Sequence, residues 1–300
     1  MKSHSFLIHY RTTFFYFQFA FYKEYDIIHT VISMFSVSYL YSNECLKVKW
    51  NKGFTNDIYR FMHEGYEYVL RIPKGDASFI TSRDGEIMLM KDPRIQKYDV
   101  PTLFYDEKSG IKVTSLIKNG MSYSECFYED KIEMVAHCMR SFHQEGFQCD
   151  HHFHAIEMLH NYQQQTTSFP FSFEGFQAIY DYISIASHQE VFCHNDWVDG
   201  NLLFANNRLY LIDYEYSGMN HPYFDVMSFL SENEIDDPLL RERFYQIYFD
   251  GDIPYQELKY WELFEDVLWC YWAWSMYERR KDDIYRQIAY AKANHYKLIK

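Results

Sequence analysis

Residues 191–225 read VFCHNDWVDGNLLFANNRLYLIDYEYSGMNHPYFD, and the parsing of this stretch decides the fold. The apolar triplet Val191, Phe192 and Cys193 reads as a short buried strand. The loop after it sets His194, Asp196 and Asn201 in the order H-x-D-x-x-x-x-N. Leu202-Leu203-Phe204 and Leu209-Tyr210-Leu211-Ile212 then read as a hairpin turning at Ala205-Asn206-Asn207-Arg208. The second strand ends on Asp213, so two acids and an amide are delivered to one end of a small sheet.

Phosphoryl transfer needs such a set. Asp196 is placed to accept or orient the hydroxyl proton of an acceptor. Asn201 and Asp213 are oxygen donors suited to Mg²⁺, the hard cation that bridges nucleotide phosphates. Protein kinases pair a catalytic-loop Asp and Asn with the Asp of a D-F-G triplet. Here the third element is Ile212-Asp213-Tyr214-Glu215, which points to kinase-like enzymes in general. A surface hairpin merely rich in Asp and Asn is the competing reading; spacing, strand context and the second Asp together favour the catalytic one.

CHNDWVDGNLLF followed by LIDYEYSGMNHPYFDV resembles the choline/ethanolamine kinase family, in particular its bacterial choline kinase branch. The similarity runs over about residues 43–290. It implies an α+β, bilobal, protein-kinase-like fold of the kind shared with aminoglycoside phosphotransferases. A small antiparallel N-lobe sheet with one helix would be followed by a larger, mostly helical C-lobe. The implied division is an N-terminal extension at 1–42, a nucleotide-binding lobe at 43–117 and a helical lobe at 118–300.

Composition is compatible with that outline. Three hundred residues with 48% hydrophobic content can bury a sizeable core. The formal net charge of −13 argues against nucleic acid as a partner, because phosphate binding needs a basic face. Six scattered cysteines without a C-x-x-C pair suggest free thiols and a cytoplasmic setting. Residues 1–42 are rich in Phe and Tyr but broken by polar residues, so neither a membrane span nor a signal peptide is expected. The stretch reads either as an added element on the first lobe or, preferably, as an upstream extension with the working protein starting near Met34.

In the first lobe, Gly53, Thr55 and Asn56 lie between two strand-like runs, where kinase-like folds place a loop over the nucleotide phosphates. A plain hairpin turn is an equal reading of that single glycine. The string Val69-Leu70-Arg71-Ile72-Pro73 resembles the family strand in which an Arg replaces the phosphate-pairing Lys. Residues 82–91 read as the next helix, with Ser82 as N-cap. The resemblance makes Glu86, fifteen residues after Arg71, the partner of that cation. Residues 100–105 and 110–117 read as a hairpin leading to a connector at 118–120.

The second lobe opens on an amphipathic helix at 128–145. His151, His152, His154 and His160 read as a polar loop, since no Cys or carboxylate accompanies them at ligand spacing. Further helices are expected at 176–187, from 224 and running into an acidic loop at 231–234, at 238–249 and at 255–280. The resemblance gives Asp225 a supporting role beneath the catalytic loop.

An acceptor pocket completes the expectation. A quaternary ammonium has no N–H to donate and is held by aromatic faces and nearby carboxylates. The resemblance places that pocket at Tyr216, Glu232, Trp269 and Trp272, with Glu215 as a further polar group. The implied activity is ATP- and Mg²⁺-dependent phosphorylation of choline. Ethanolamine, thiamine or an aminoglycoside are alternative acceptors, and a catalytically inactive kinase-fold binding protein is an alternative of another class.

Overall fold

The computed structural model describes residues 48–51, 55–63, 65–74, 82–186 and 189–300. The extension at 1–42 and Gly53 lie outside the described residues. The first layer is a five-stranded antiparallel sheet of β1 (Val48–Asn51), β2 (Asn56–His63), β3 (Tyr66–Pro73), β4 (Thr102–Tyr105) and β5 (Lys112–Ser115). Its spatial order is β1-β2-β3-β5-β4. Period-two alternation gives the sheet two characters. Tyr59, Phe61, Tyr68, Leu70, Phe104 and Val113 form a small core on one face. The opposite face carries Ile58, Val69, Arg71, Lys112 and Thr114 into a cleft against the second layer. Cross-strand pairing sets Arg71 opposite both Ile58 and Lys112.

Helix α1 (Asp84–Lys91) connects β3 to β4. It begins two residues later than the sequence suggested, yet the Ser82 hydroxyl still accepts the Asp84 N–H at 3.2 Å. The helical region comprises α2 (Lys131–Gln144), α3 (Ala155–Gln165), α4 (Phe176–Ala186), α5 (Pro222–Glu232), α6 (Pro238–Tyr248), α7 (Tyr255–Arg280) and α8 (Asp283–Ile299). One large core runs through it, centred on Phe142, Phe192, Trp197, Tyr214, Phe224, Trp261 and Phe264. Leu89 of α1 belongs to this core rather than to that of the sheet, so α1 packs on the helical layer.

Two expectations are corrected. The histidine-rich stretch is not a polar loop throughout: α3 spans Ala155–Gln165 and carries His160. Its polar residues face outward while Ala155, Leu159 and Tyr162 are buried, and the outward face dominates the composition. Residues 231–232 belong to α5 rather than to an acidic loop. Helix α8 had no counterpart in the sequence reading. Among the described residues, no helix is long and apolar enough to cross a membrane.

Gly85 shows how closely the layers approach. A Cβ placed there would sit 1.7 Å from the carbonyl oxygen of Ser217, a backbone atom that cannot swing away. We expect Gly85→Ala to cost about 1–3 kcal/mol, the range for overpacked sites. Urea unfolding should record that loss, and a midpoint equal to the parent's would contradict the close approach.

Candidate active site

Four short strands frame the site. β6 (Val191–Cys193) pairs antiparallel with β9 (Gly218–Asn220), and β7 (Leu202–Ala205) pairs with β8 (Arg208–Leu211). The β7–β8 turn is the expected one: Asn206 and Asn207 have φ of 52° and 55°, the left-handed pair that a two-residue hairpin requires. The loop carrying Asp196 therefore leaves β6 and enters β7, and Asp213 follows directly on β8.

Asp225 of α5 fixes that loop. Its carboxylate accepts the backbone N–H of His194 at 2.9 Å and of Asn195 at 2.7 Å, and His143 Nε2 lies 2.9 Å away. Burial would raise the Asp225 pKa, but the hydrogen bond and charge of His143 and the nearby His194 hold it below the usual carboxylate value. Asn195 is in the left-handed region at φ 66°. Its side chain is held at both ends, donating to Tyr216 O at 2.9 Å and accepting from Asn220 Nδ2 at 2.7 Å. Trp197 N–H donates to Ser228 Oγ at 3.1 Å, and Asn233 Nδ2 donates to Trp197 O at 2.8 Å. Sequence reasoning missed Asn195, Asn220 and Asn233, whose side chains act on backbone and leave no spacing signal.

Asp196 and Asn201 meet directly, the amide Nδ2 donating to Asp196 Oδ2 at 2.7 Å. Arg71 joins the lobes. Its Nη1 donates to Asp213 Oδ1 and its Nη2 to Glu86 Oε2, both at 2.7 Å, and Nη2 also reaches Gly110 O at 3.1 Å. Burial alone would lower the Arg71 pKa, but Glu86, Asp213 and Glu215 raise it and keep the guanidinium charged. Glu86, fully buried, is held below its ordinary pKa by Arg71 against the cost of burial. Asn56 Nδ2 donates to Glu215 Oε2 at 3.1 Å and approaches Asp213 Oδ2 at 3.4 Å, and the Thr55 hydroxyl donates to Glu215 Oε1.

Negative charge exceeds positive here. Burial, then the charges of Asp213 and Glu215, push the Asp196 pKa well up. Burial and Asp213 push Glu215 up to about 8, against the pull of Thr55 and Arg71. Above this floor, a cleft of about 380 Å³ is walled by Ile58, Val69, Leu116, Ile117, Leu203 and Ile212. Asp99 and Lys112 form a buried ion pair at its back, 2.5 Å apart, which supplies Lys112 with the anion that its position beside Arg71 demands.

The expected acceptor-pocket residues are also brought together. Tyr216 and Trp269 rings meet edge-on at 6.3 Å, and Trp269 and Trp272 at 6.1 Å. Glu232, at the end of α5, is close enough for its charge to act on Asp196. It is not alone: Lys292 of α8 lies 2.5 Å from Glu232 Oε1.

The family model described as choline/ethanolamine kinase matches residues 41–257. The chain belongs to that family. It is a phosphotransferase that acts on an alcohol group, built on the bilobal α+β kinase-like fold. Protein LicA of Haemophilus influenzae is 27% identical over 245 residues, covering 73% of this chain and 70% of LicA. The crystal structure of choline kinase LicA from Streptococcus pneumoniae superposes with a TM-score of 0.71 at 19% identity, over 88% of this chain and 98% of the other. A LicA structure in complex with AMP gives 0.70 at 20% identity, over 90% and 98%.

The carboxylate crowding in the family member's site has a consequence for stability. Glu215 titrates near 8 in the folded protein, and near its ordinary value of about 4.3 when unfolded. Its contribution is therefore fully present below the lower value and is lost as pH rises through the upper one. Chemical unfolding between pH 5 and pH 8.5 should show Glu215→Gln gaining on the parent as pH rises. A constant difference would rule the shift out.

Proposed function

We propose that this kinase transfers the γ-phosphoryl group of ATP to the hydroxyl of choline, giving phosphocholine. The observation that carries the proposal is the grouping of the Asp196–Asn201 pair with Glu215 and with Asp213, which Arg71 holds, at the mouth of an apolar cleft. Asp213 raises the cost of charging Asp196 and Glu215 while Arg71 is shared with Glu86, so the donor set suits a divalent cation. Asp213 and Asn201 are the residues that would hold Mg²⁺, with Glu215 beside them. The ion would neutralise phosphate charge that builds up during transfer.

The protein's own groups do the rest. The cleft walls take the nucleobase, and residues 43–117 serve as the nucleotide-binding lobe against the acceptor-binding lobe at 118–300. Arg71, oriented by Glu86, presents its guanidinium to the phosphates, with Thr55 and Asn56 alongside. Asp196 accepts the acceptor hydroxyl proton as general base. The Asn201 amide on Oδ2 leaves Oδ1 of Asp196 for that proton. In-line positioning supplies most of the rate, because no covalent intermediate is needed.

The aromatic run Tyr216, Trp269 and Trp272 favours a cationic head group, which binds ring faces without needing a hydrogen bond. The LicA similarity supports choline in particular, and the AMP-bound neighbour supports an adenine nucleotide.

Coupled-assay ATP consumption with Mg²⁺ against choline, ethanolamine, thiamine and kanamycin tests this. Choline should give the highest kcat/KM, and Asp196→Asn should lower kcat by roughly 10²–10⁴-fold, the range for loss of a general base. Turnover of kanamycin or thiamine but not choline would overturn the acceptor assignment. An active Asp196→Asn would overturn the base.

A further inference from the structure

The acceptor-side carboxylate has a resident counter-ion. Lys292 Nζ lies 2.5 Å from Glu232 Oε1, 3.1 Å from Ser231 Oγ and 3.7 Å from Asp266 Oδ1. It reaches them because α7 and α8 run antiparallel in register. Trp272 packs on Tyr285 at 5.8 Å, the Cys270 thiol donates to Ala289 O at 3.3 Å, and two turns after Tyr285 comes Lys292 opposite Asp266. The ring of Tyr285 and the ammonium of Lys292 thus face α7 from one stripe of α8.

The charges close locally. His295 Nδ1 lies 2.7 Å from Asp266, and Arg241 pairs with Glu262 at 2.6 Å. Glu265 sits between these groups, wholly buried, and neither of its carboxylate oxygens has a hydrogen-bond partner. Burial, then the charge of Glu232, push its pKa well up against the pull of Lys292. One ammonium is therefore engaged by Glu232 and Asp266 together, and burial does not discharge it, because both anions raise its pKa.

We propose that Lys292 is a specificity-determining residue: its ammonium competes with the acceptor's cationic head group for Glu232. This rests on the acceptor site proposed above. The pull on a cationic substrate then comes mainly from the faces of Tyr216, Trp269 and Trp272, and Glu232 adds only a screened remainder. An acceptor cation has to share a carboxylate that is already paired with an ammonium, which keeps its binding loose.

A double-mutant cycle on the full chain reads this directly. Lys292→Met should lower the KM for choline roughly fivefold, as a partly freed carboxylate beside a cation would. It should leave the KM for ATP and for the neutral isostere 3,3-dimethylbutan-1-ol unchanged. Glu232→Gln in the parent should raise the choline KM by less than about threefold, yet should cancel the gain when combined with Lys292→Met. Lys292→Arg should match the parent. An unchanged or higher choline KM in Lys292→Met overturns the proposal, since a merely structural lysine would loosen the pocket. Glu232→Gln in the parent needs no Lys292 variant to fold; a loss of tens-fold there would also overturn it. If the parent turns over no cationic amino alcohol, the acceptor assignment itself has failed; an active parent with a flat cycle removes only the role of Lys292.

Discussion

The buried guanidinium of Arg71 is the interaction on which the arrangement of the two layers depends. It answers Glu86 on one side, Asp213 on the other and the carbonyl of Gly110 between them. Glu86 is wholly buried and would be an uncompensated charge without it. Asp213, already crowded by Glu215, would lose its only short ion pair among the described residues. A lysine could not replace it, because an ammonium is a point donor whereas the planar fork meets two carboxylates at once. The placement of α1, the closeness of Gly85 to Ser217 and the acidity of the site are all tied to this one side chain.

Rigidity at the site is assembled from backbone hydrogen bonds made by side chains. Asn195 and Asp213 both hold φ near 66–67°, a region that costs non-glycine residues free energy. The cost persists because neighbours over-determine it. Asp225 grips two consecutive N–H groups, and the Asn195 side chain is pinned by Tyr216 and Asn220. Strain of this kind is expected where a reacting group must be aimed before its substrate arrives.

Much of this was legible in the sequence because it is local. The hairpin from Leu202 to Leu211, its Asn-Asn turn and the strand before His194 follow from periodicity and turn chemistry over a few residues. Arg71 and Glu86 were paired only through family resemblance, and their 2.7 Å contact agrees. What the sequence concealed is of two kinds. Helix α3 was hidden by its own surface, since one histidine and three glutamines outnumber the three residues it buries. The state of Glu232 was hidden by distance: its counter-ion comes from a helix sixty residues later, and nothing in the spacing of Lys292 marks it as a partner. The roles of Tyr216, Trp269 and Trp272 rest on resemblance, because no short-range pattern separates a substrate-facing aromatic from a core one.

The docking of α8 against α7 also bears on the order in which the protein is made. Glu232 and Asp266 leave the ribosome well before Lys292 and His295, the two groups that balance them. Until the later helix docks, the nascent helical lobe holds carboxylates that cannot be buried as anions at low cost. Burying Glu232 and Asp266 as anions between α5 and α7 is thus coupled to the docking of α8, which brings the ammonium that both carboxylates face.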